Sequence, residues 1–573
     1  MVNVEEIVRH RTEKSRLPYP FKRFLVWLMR HLLHEKRLSE FAAKYPSLRG
    51  LDCIDQILSF CGFRCEMDIS ELENIPPYGA ALIISNHPIG SLDGLALLKM
   101  VSSVRPDAKI VVNRILSYLK PLENLFICID NMGAKANRRQ IKNMQEHLLK
   151  GGVLIIFPSG EVSRLSPKGI RDGKWSSGFV RLAARMRASI VPVYMQGKNS
   201  FSFYLLSLIY KPASTYTLVH EMFKQQGKLV RIHIGRCIPH ENWFNPKESP
   251  AKTAKLFKRH IYKIGKGKKG CIKGEKPIAL PADRLSLKTA LEGCQVLGKT
   301  SDDKLILLYR RSENESFSPI LHELGRLREI SFRAVGEGSG QRLDLDMFDD
   351  YYCHIVLWNP KRLEIVGAYR LIPTAEQIRI GGIESLYSSG LFTFMEGMLP
   401  ILKNGVELGR SFIQPTYWGK RGLDYLWLGI GAYLASTPQC RYLFGPVSIS
   451  ANIPSLARDL LISFYRQYFA PKQPLAVSKN PYPFSPPQVK SFFSGNDSQK
   501  DFQRLKSALS NMNTAVPMLY RQYSELCEDG GVLFADFGVD PNFSSCVDGL
   551  VVVDTSMLTP SRYQRYIAPN VKG

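Results

Sequence analysis

A histidine and an aspartate stand six positions apart in the segment Asn86–Gly94, directly after an apolar run at 80–85. The run predicts a strand, and the carboxyl ends of strands in α/β sheets are where active-site residues usually lie. Asp93 could accept a hydrogen bond from one nitrogen of His87, which fixes the tautomer and strengthens the other nitrogen as a base. The pair could then deprotonate a hydroxyl that attacks a thioester. The alternative is a helix-capping aspartate beside a histidine without a catalytic role.

A second block, FPSGEVSR at 157–164, also follows an apolar run that predicts a strand. Its turn could bind an anionic headgroup through backbone N–H groups and basic side chains. The residues of interest in and after this block are Gly160, Glu161, Arg164, Lys168 and Arg171.

The C-terminal half contains strands that end in charged residues, YRLIPT at 369–374 and ELGRSF at 407–412. An amine that attacks a thioester needs a proton acceptor, and Glu407 could take the ammonium proton directly or through water. Arg370 and Arg410 could hold a carboxylate with paired hydrogen bonds. The alternative is a set of ion pairs on half-buried strands.

Metal chemistry and a histidine-based triad are not expected in this half. Its only histidines are His322 and His354, and its cysteines form no C-x-x-C pair. We therefore expect no metal site, and we expect His354 to be a core residue of a strand.

These residues require an α/β framework to position them. From 80 to 235, short Val/Ile/Leu-rich runs alternate with helical patterns, which predicts an α/β layer with a largely parallel sheet. The predicted strands are 80–85, 109–112, 125–130, 152–157, 189–195 and 229–235, with helices around 135–150 and 178–187. A second α/β pattern begins near Lys304 and ends in an added strand pair after Gly531.

Composition restricts the class of protein and its partners. The chain has 573 residues, 45% of them hydrophobic and 22% charged, which favours two or three folded domains over bulk disorder. Its 77 lysines and arginines exceed its 51 acids by 26, which indicates an anionic partner. No apolar run reaches the roughly 18 residues of a spanning helix, and the N-terminus does not read as a secretory signal. The 11 cysteines, an odd number, are expected to be reduced thiols in a cytoplasmic setting.

Two basic segments have open interpretations. Residues 18–49 predict a basic amphipathic helix carrying Trp27, which either lies in a membrane interface or packs on its own domain. Residues 252–276 hold ten lysines and arginines against one acid and are Gly-rich, which predicts a linker that either faces an anionic surface or has no further role.

The motifs of the first half resemble those of the glycerolipid acyltransferases that acylate lysophosphatidic acid. The resemblance covers about 75–235 and rests on NHxxxxxD, the FPxGE-like block and IVPVYM. It implies that His87 is the general base, that Asp93 orients it, and that Asn86, Gly160, Glu161 and Arg164 bind the acceptor. The form NHPxGxLDG, with five residues between His and Asp, resembles the haemolysin-like and aminolipid-forming branch.

The second half, about 304–470, resembles the GNAT-superfamily group that includes ornithine N-acyltransferases and resembles acyl-homoserine-lactone synthases. The resemblance rests on LRxxxF, an acidic patch, YRLIPT, ELGRSF and KRGxxxLWxGI. It implies Glu407 near the base position and Arg370 and Arg410 as substrate-binding residues. It also implies an amino-acid pocket and a site for the carrier's phosphopantetheine phosphate; the corresponding residues are Arg328, Asp346 and Asp349, and Lys420 and Arg421.

The sequence therefore predicts a basic helical region (1–70), an O-acyltransferase domain (71–251), a basic linker (252–285) and a GNAT-like N-acyltransferase domain with a C-terminal extension (286–573). Together the two resemblances imply a bifunctional aminolipid synthase of the ornithine-lipid type. It would N-acylate an amino acid, ornithine being favoured, with a 3-hydroxyacyl chain and then O-acylate that hydroxyl.

The expected partners are acyl carrier protein, whose thioester is a cosubstrate, and an anionic membrane surface, with no bound cofactor and no nucleic acid. The expected location is peripheral, on the cytoplasmic face of the inner membrane. One alternative is a lysophospholipid acyltransferase fused to a regulatory or signal-synthase-like domain, and another is a haemolysin-like membrane-binding protein.

Overall fold

The computed structural model describes residues 23, 26–27, 30–31, 34–113, 119–129, 138–167, 169–209, 217–484, 489 and 492–570. The chain divides into two compact units, Met1–Ile278 and Ala279–Gly573. Both are α/β, as the sequence predicts.

The first unit is built on a mixed sheet that is mainly parallel. Its strands are β1 (Arg64–Glu66), β2 (Ala81–Ser85), β3 (Lys109–Asn113), β4 (Phe126–Ile129), β5 (Val153–Ile156), β6 (Arg164–Ser166), β7 (Gly169–Arg171), β8 (Ser189–Gln196) and β9 (Leu229–Ile234). Among the described residues the main sheet has the order β1-β9-β8-β2-β5-β3-β4, and β1 and β9 run opposite to the rest. Strands β6 and β7 form a separate hairpin.

Helices cover both faces of this sheet. They are α1 (Glu35–Lys44), α2 (Gly50–Phe60), α3 (Ser91–Val104), α4 (Arg138–Leu149), α5 (Gly178–Met186), α6 (Phe201–Ile209), α7 (Leu218–Phe223), α8 (His240–Trp243) and α9 (Pro250–Ile264). In β2, Ala81 and Ile83 pack with α2 and α3, whereas Leu82 and Ile84 pack with α4, α5 and α9. Because both faces are covered, β2 is apolar at four consecutive positions, 81–84, rather than at every second one.

The second unit has an eight-stranded mixed sheet among its described residues. Its strands are β10 (Gln295–Lys299), β11 (Leu305–Arg310), β12 (Cys353–Asn359), β13 (Glu364–Pro373), β14 (Phe392–Phe394), β15 (Gly405–Ile413), β16 (Tyr442–Ile449), β17 (Ala476–Ser478), β18 (Val532–Asp540) and β19 (Cys546–Asp554). The order is β10-β11-β12-β13-β15-β16-β19-β18, while β14 and β17 pair separately.

One pair of neighbours in this sheet is parallel. Strands β15 and β16 are in register only over residues 405–407 and 442–444, and each has an antiparallel neighbour on its other side. The C-terminal strands β18 and β19 belong to this main sheet, because β19 pairs with β16 along its whole length. The strand pair that the sequence predicts as an addition therefore completes the central sheet.

The helices of the second unit lie before, between and after these strands. They are α10 (Arg284–Glu292), α11 (Pro319–Val335), α12 (Thr374–Gly381), α13 (Leu399–Lys403), α14 (Gly422–Ser436), α15 (Ser455–Tyr468), α16 (Ser498–Asn511), α17 (Met518–Ser524) and α18 (Pro560–Tyr566). Helices α14 and α15 supply much of the apolar core, through residues such as Leu426, Ile430 and Leu461.

The two basic segments differ in outcome. The stretch assigned to a linker from residue 252 begins inside α9, where Ala254, Phe257 and Ile261 are buried in the core of the first unit. The charged residues lie on the other faces of this amphipathic helix. The high charge of the segment therefore gave no indication that the helix packs against the core. Of the amphipathic helix predicted at 18–49, residues 35–44 form α1, in which Phe41 is buried, whereas most residues before 34 lie outside the described residues.

Charge is divided unequally between the units. Residues 1–278 hold 46 of the 77 lysines and arginines and 22 of the 51 acids, which leaves +24 of the net charge of +26 on the first unit. In the part of the chain that the structure describes, no helix combines the length and the apolar character needed to cross a membrane.

Candidate functional sites

His87 lies just beyond the carboxyl end of β2, in the turn that leads into α3. The residue before it, Asn86, is buried, and its side-chain amide exchanges two hydrogen bonds with the backbone of Met195 in β8, at 2.9 and 2.8 Å. Asn86 thus has a structural role in this geometry, because its polar atoms are used to fix the start of the turn. These two hydrogen bonds use one N–H group of the side-chain amide, and the substrate-binding role expected from the sequence stays a prediction.

His87 and Asp93 are brought together as predicted. Nδ1 of His87 lies 3.2 Å from Oδ2 of Asp93, which is fully buried at the first turn of α3. The same oxygen accepts the backbone N–H groups of Ile89 and Gly90, at 2.8 and 3.1 Å. The imidazole stacks on Phe157, with ring centroids 4.2 Å apart. Donation from Nδ1 to Asp93 leaves Nε2 as the basic nitrogen, and the side chain is partly exposed.

Asp172 is a further carboxylate at this site, and no pattern in the sequence points to it. It is buried and accepts the backbone N–H of His87 at 3.2 Å, the indole N–H of Trp175 at 2.9 Å and the hydroxyl of Ser163. Burial raises its pKa, and these hydrogen bonds partly offset the rise. Asp172 therefore ties the backbone of His87 to the loop that follows β5.

The FPSGE loop runs beside the histidine. Gly160 has φ +68°, a left-handed conformation that favours glycine, and the N–H of Ser163 donates to the carbonyl of His87 at 2.7 Å. Glu161 is half-buried in the same loop. The Arg164 guanidinium lies 5.2 Å from the ring centre of Phe203, and burial lowers its pKa. Gly160 and Glu161 thus lie in a loop that flanks His87, and Arg164 begins β6 directly after it. Their role in binding the acceptor stays a prediction. Lys168 lies outside the described residues.

The second unit contains a buried network of three arginines and three aspartates. Its ion pairs join Arg328 to Asp349 (2.7 Å), Arg370 to Asp349 (3.2 Å) and to Asp346, and Arg410 to Asp346 (3.3 Å) and Asp344 (3.7 Å). The network therefore joins the three residues expected to shape an amino-acid pocket with the two arginines expected to bind substrate, and it adds Asp344.

Arg328 lies at the buried end of the network. It also contacts Nδ1 of His354 at 3.1 Å, and both side chains are fully buried. Burial and then Arg328 lower the pKa of His354 to about 3, so this histidine is neutral at physiological pH. Burial raises the pKa of Asp349, but Arg328 and Arg370 outweigh it and hold that pKa well below its usual range. This end of the network is thus structural, with His354 as a core residue.

Arg370 has hydrogen-bond donors that no described residue uses. Its guanidinium faces the rings of Phe348, Tyr352 and Tyr387, at 5.7, 5.1 and 5.2 Å from their centres. Its side chain is 1% exposed, yet Nε and Nη2 have no hydrogen-bond partner among the described residues. A buried guanidinium with two unused donor nitrogens is suited to bind a carboxylate.

Arg410 owes its direction to a β-bulge. The register between β13 and β15 shifts between Ala368 and Arg370, and Arg410 has φ +49°, a conformation rare for a residue with a side chain. Its guanidinium lies 5.0 Å from the ring centre of Tyr387 and 4.9 Å from that of Phe543. The bulge thus places Arg410 against the same tyrosine that Arg370 faces.

Glu407 is placed differently from the expectation. Its carboxylate is fully buried and accepts four hydrogen bonds, from the hydroxyl of Tyr352, the N–H of Tyr387 (3.1 Å), and both the N–H (2.6 Å) and the hydroxyl of Ser388. Burial raises its pKa, and the hydrogen bonds counteract this. Glu407 could accept a substrate proton only by giving up one of these bonds. The geometry favours a positioning role over that of a base.

A carboxyl cluster that the sequence did not reveal lies beside these residues. Asp548 is buried in β19 and accepts the hydroxyl of Ser448 at 2.7 Å, while Asp540 accepts the hydroxyl of Tyr387 at 3.4 Å. Burial, then Asp540, raises the pKa of Asp548 to about 7, and burial with Asp548 raises the pKa of Glu337 to about 7. A carboxyl that titrates near neutrality is a candidate base.

Lys420 and Arg421 lie immediately before α14, where the expected phosphate site is. Both are exposed, and they lie over Tyr417 and Tyr425 at 5.0 and 5.3 Å. Arg421 also reaches Asp424 at 3.4 Å. The free N–H groups at the start of a 15-residue helix add to these charges in attracting a phosphate.

Two families match the chain, one in each unit. Residues 14–244 match the family described as Acyltransferase, and residues 327–428 match the family described as Acetyltransferase (GNAT) domain.

Relatives of two kinds are similar to parts of the chain. Glycine N(alpha)-acyltransferase of Phocaeicola vulgatus is 32% identical over 247 residues, which cover 39% of this chain and 76% of that protein. Lyso-glycine lipid O-acyltransferase of the same species is 29% identical over 272 residues, covering 46% and 95%. L-ornithine N(alpha)-acyltransferase of Brucella abortus is 28% identical over 197 residues, covering 31% and 66%.

Proposed function

The chain belongs to the acyltransferase family that includes glycine N(alpha)-acyltransferase, and from this premise we propose that it makes a two-tailed aminolipid in two steps. The second unit N-acylates an amino acid with a 3-hydroxyacyl chain, and the first unit then O-acylates that hydroxyl. The observation that carries the proposal is that one chain resembles both a glycine N-acyltransferase and a lyso-glycine lipid O-acyltransferase. Its two units also offer a site for each step.

In the O-acylation step, Nε2 of His87 takes the proton of the lipid hydroxyl as its oxygen attacks the thioester carbonyl carbon. The C–S bond then breaks, and the departing thiolate receives the proton from the imidazolium. Asp93 holds the tautomer and stabilises the positive charge on the ring while it lasts. No covalent enzyme intermediate is needed.

In the N-acylation step, the substrate ammonium must lose a proton before its nitrogen attacks the thioester. Asp548 and Glu337, whose pKa values are raised to about 7, are better suited to accept it than Glu407, which is engaged by four donors. The unused N–H groups of Arg370 would hold the amino-acid carboxylate. The C–S bond breaks as the amide C–N bond forms, and the departing thiolate takes the second proton that the attacking nitrogen loses.

Glycine is the acceptor we favour, in place of the ornithine expected from the sequence. The glycine-named relative matches at 32% identity and over 76% of its length, against 28% and 66% for the ornithine-named one. We further propose an acyl carrier protein thioester as donor, with Lys420 and Arg421 at its phosphate, and a peripheral location on the cytoplasmic face of the inner membrane.

Expression in a bacterial host that lacks aminolipids tests the proposal. The wild-type chain should yield a ninhydrin-positive, phosphorus-free, two-tailed lipid, and mass spectrometry of the headgroup distinguishes glycine from ornithine. His87→Ala should accumulate the one-tailed N-acyl compound, whereas Arg370→Gln should remove both products. His233→Ala is the matched control in the first unit, because His233 is half-exposed and outside the site.

Co-expression separates loss of function from loss of fold. The His87→Ala and Arg370→Gln chains each keep one intact site, so together they should restore the two-tailed lipid. Absence of any new lipid from the wild-type chain, or phosphatidic acid as its product, would contradict the proposal. Equal loss of both products in the His87→Ala chain would contradict the assignment of steps to units.

A further inference from the structure

Helix α6 carries an apolar surface that no element of the described chain covers. Phe201, Leu205, Leu208 and Ile209 are 78, 50, 63 and 76% exposed, on a helix whose sequence is FSFYLLSLI. Soluble proteins rarely group large apolar side chains in this way without a partner. The helix packs against β6, where Leu165 is a further exposed apolar side chain (43%).

The opposite face of α6 is fixed to the His87 site. Phe203 and Tyr204 are buried with Val162 of the FPSGE loop, and Arg164 lies over the Phe203 ring. Just before the helix, the amide of Asn199 donates to the carbonyls of Pro88 and Ile89, at 3.4 and 3.1 Å. The exposed apolar face is therefore held at a constant position relative to the turn that carries His87.

The chemistry of this surface indicates its partner. The four side chains are aliphatic or phenyl groups without hydrogen-bonding atoms, and the helix, about 14 Å long, is far too short to span a bilayer. The unit that carries it has +24 of the chain's net charge of +26, and Lys198 and Lys224 are exposed near the start of the helix. An apolar face on a strongly cationic unit matches an anionic lipid surface.

We propose that α6, with Leu165, inserts into the interface of an anionic bilayer and holds the His87 site at the lipid surface. This rests on the proposed function in one respect, since it supposes that the hydroxyl substrate of that site is a membrane lipid. Insertion would let a one-tailed lipid present its hydroxyl to His87 while its chain stays in the bilayer.

Vesicle binding by the full-length chain tests the proposal without catalysis. The probe is a vesicle of phosphatidylglycerol and phosphatidylcholine in equal amounts, and co-sedimentation gives the partition coefficient. Leu208→Glu should lower that coefficient at least about tenfold, because a carboxylate resists insertion. Leu149→Glu is the matched control, since Leu149 is 74% exposed at the end of α4 in the same unit and the charge change is identical. Its partition coefficient should stay within about twofold of the wild type.

The other outcomes overturn the proposal. Equal loss of binding in both variants would show that only net charge matters, and unchanged binding in Leu208→Glu would exclude α6 from the interface. Size-exclusion chromatography without lipid tests whether a second copy of the chain covers α6. A wild-type dimer that becomes a monomer in Leu208→Glu would show this. If acyl carrier protein cross-links to the wild type and to Leu149→Glu but not to Leu208→Glu, the partner of α6 is the carrier protein and not the bilayer.

Activity measurements keep this inference separate from the proposed function. With a one-tailed substrate dispersed in detergent, Leu208→Glu should O-acylate as fast as the wild type, whereas on vesicles it should be slower by the loss in partition. If the wild type O-acylates no such substrate but still binds vesicles through α6, the proposed function fails and the inference stands. If the wild type O-acylates this substrate but Leu208→Glu binds vesicles as well as the wild type, the inference fails and the proposed function stands.

Discussion

His87 is held by its backbone as much as by its side chain. Asp172 accepts its N–H, Ser163 donates to its carbonyl, and Asp93 orients its ring. Asp172 does not reach the reacting atoms through any contact of its own, so it is a positioning residue. Small displacements of a general base have large effects on rate, because proton transfer requires hydrogen-bond contact with the substrate.

We predict that Asp172→Ala lowers kcat for O-acylation by about ten- to a hundredfold with little change in KM. Asp172→Asn should be less damaging, because its amide oxygen can still accept the two hydrogen bonds that Oδ1 accepts, from the N–H of His87 and the hydroxyl of Ser163. Steady-state kinetics on a detergent-dispersed substrate measures this, with Asp107→Asn, which removes a charge elsewhere in the unit, as the control. A rise in KM with unchanged kcat would place Asp172 in substrate binding instead.

The carboxyl of Asp548 makes stability depend on pH. Burial raises its pKa from 3.8 to about 7 in the folded protein, so between these values the folded state binds a proton that the unfolded state does not. Stability contributed by this group is therefore present at low pH and is lost as pH rises toward and through about 7. Above that, the folded state holds a buried carboxylate at a cost.

We predict that Asp548→Asn stabilises the second unit at pH 8, by up to about 4 kcal/mol, and has little effect at pH 4. The amide keeps an oxygen that can accept the Ser448 hydroxyl and has no charge to bury. Urea unfolding at the two pH values measures the difference. A variant that is destabilised equally at both would mean that the carboxyl is not held at a raised pKa.

The contacts that could be predicted from the sequence are those between residues of one short motif. His87 and Asp93 are six positions apart, and their contact follows from a strand–turn–helix segment. Asp172 is 85 positions from His87, so its contact depends on how a distant hairpin folds back. The role of Glu407 was also beyond prediction, because its four donors come from a strand start and a turn that only the folded sheet brings together.

Helix α14 adds backbone N–H groups to the positive charges of Lys420 and Arg421, which precede it. Lys420 and Arg421 are exposed cations, and the first turn of the helix that follows them has backbone N–H groups without a partner inside the helix. Surface cations that only attract a partner mainly raise the association rate. Cations at the start of a helix also bind the anion once it has docked.

We predict that Lys420→Glu with Arg421→Glu raises KM for the acyl carrier thioester about tenfold in N-acylation and leaves kcat within about twofold. O-acylation of an added one-tailed lipid, which uses the other unit, is the internal control. Lys472→Glu, an exposed charge reversal away from α14, is the matched variant. A fall in kcat with unchanged KM would contradict the phosphate role.

The central strands were predictable because they are covered on both faces and so are continuous apolar runs. All six strands predicted for the first unit form, with ends that differ by one or two residues. The three-residue edge strand β1 is wholly exposed, so it carries no apolar pattern. Helix α9 was missed for the opposite reason, since its five lysines and arginines hid a buried apolar face.

At the scale of the molecule, the main asymmetry is electrostatic. The first unit holds +24 of the net charge, and the second unit is nearly neutral. Attraction to an anionic surface should therefore come almost entirely from the first unit, with α6 adding an apolar contribution that salt does not screen.

We predict that binding to vesicles of phosphatidylglycerol and phosphatidylcholine weakens, but does not vanish, as salt rises from about 0.1 to about 1 M. Over that range the Debye length falls from about 10 to about 3 Å, so only the electrostatic part is lost. Co-sedimentation at the two salt concentrations measures this. Complete release at high salt would mean that no apolar group inserts, and an unchanged coefficient would mean that charge contributes nothing.

The short parallel contact between β15 and β16 has a mechanical consequence for the second unit. The sheet consists of two antiparallel blocks, joined by only three residue pairs at 405–407 and 442–444. Three residue pairs join β15 to β16, fewer than join any other neighbouring strands of this sheet, so we expect the sheet to bend most easily along this line. Glu407 is one of the β15 residues in that joint, and its buried carboxylate also accepts hydrogen bonds from Tyr387 and Ser388, which lie outside the sheet.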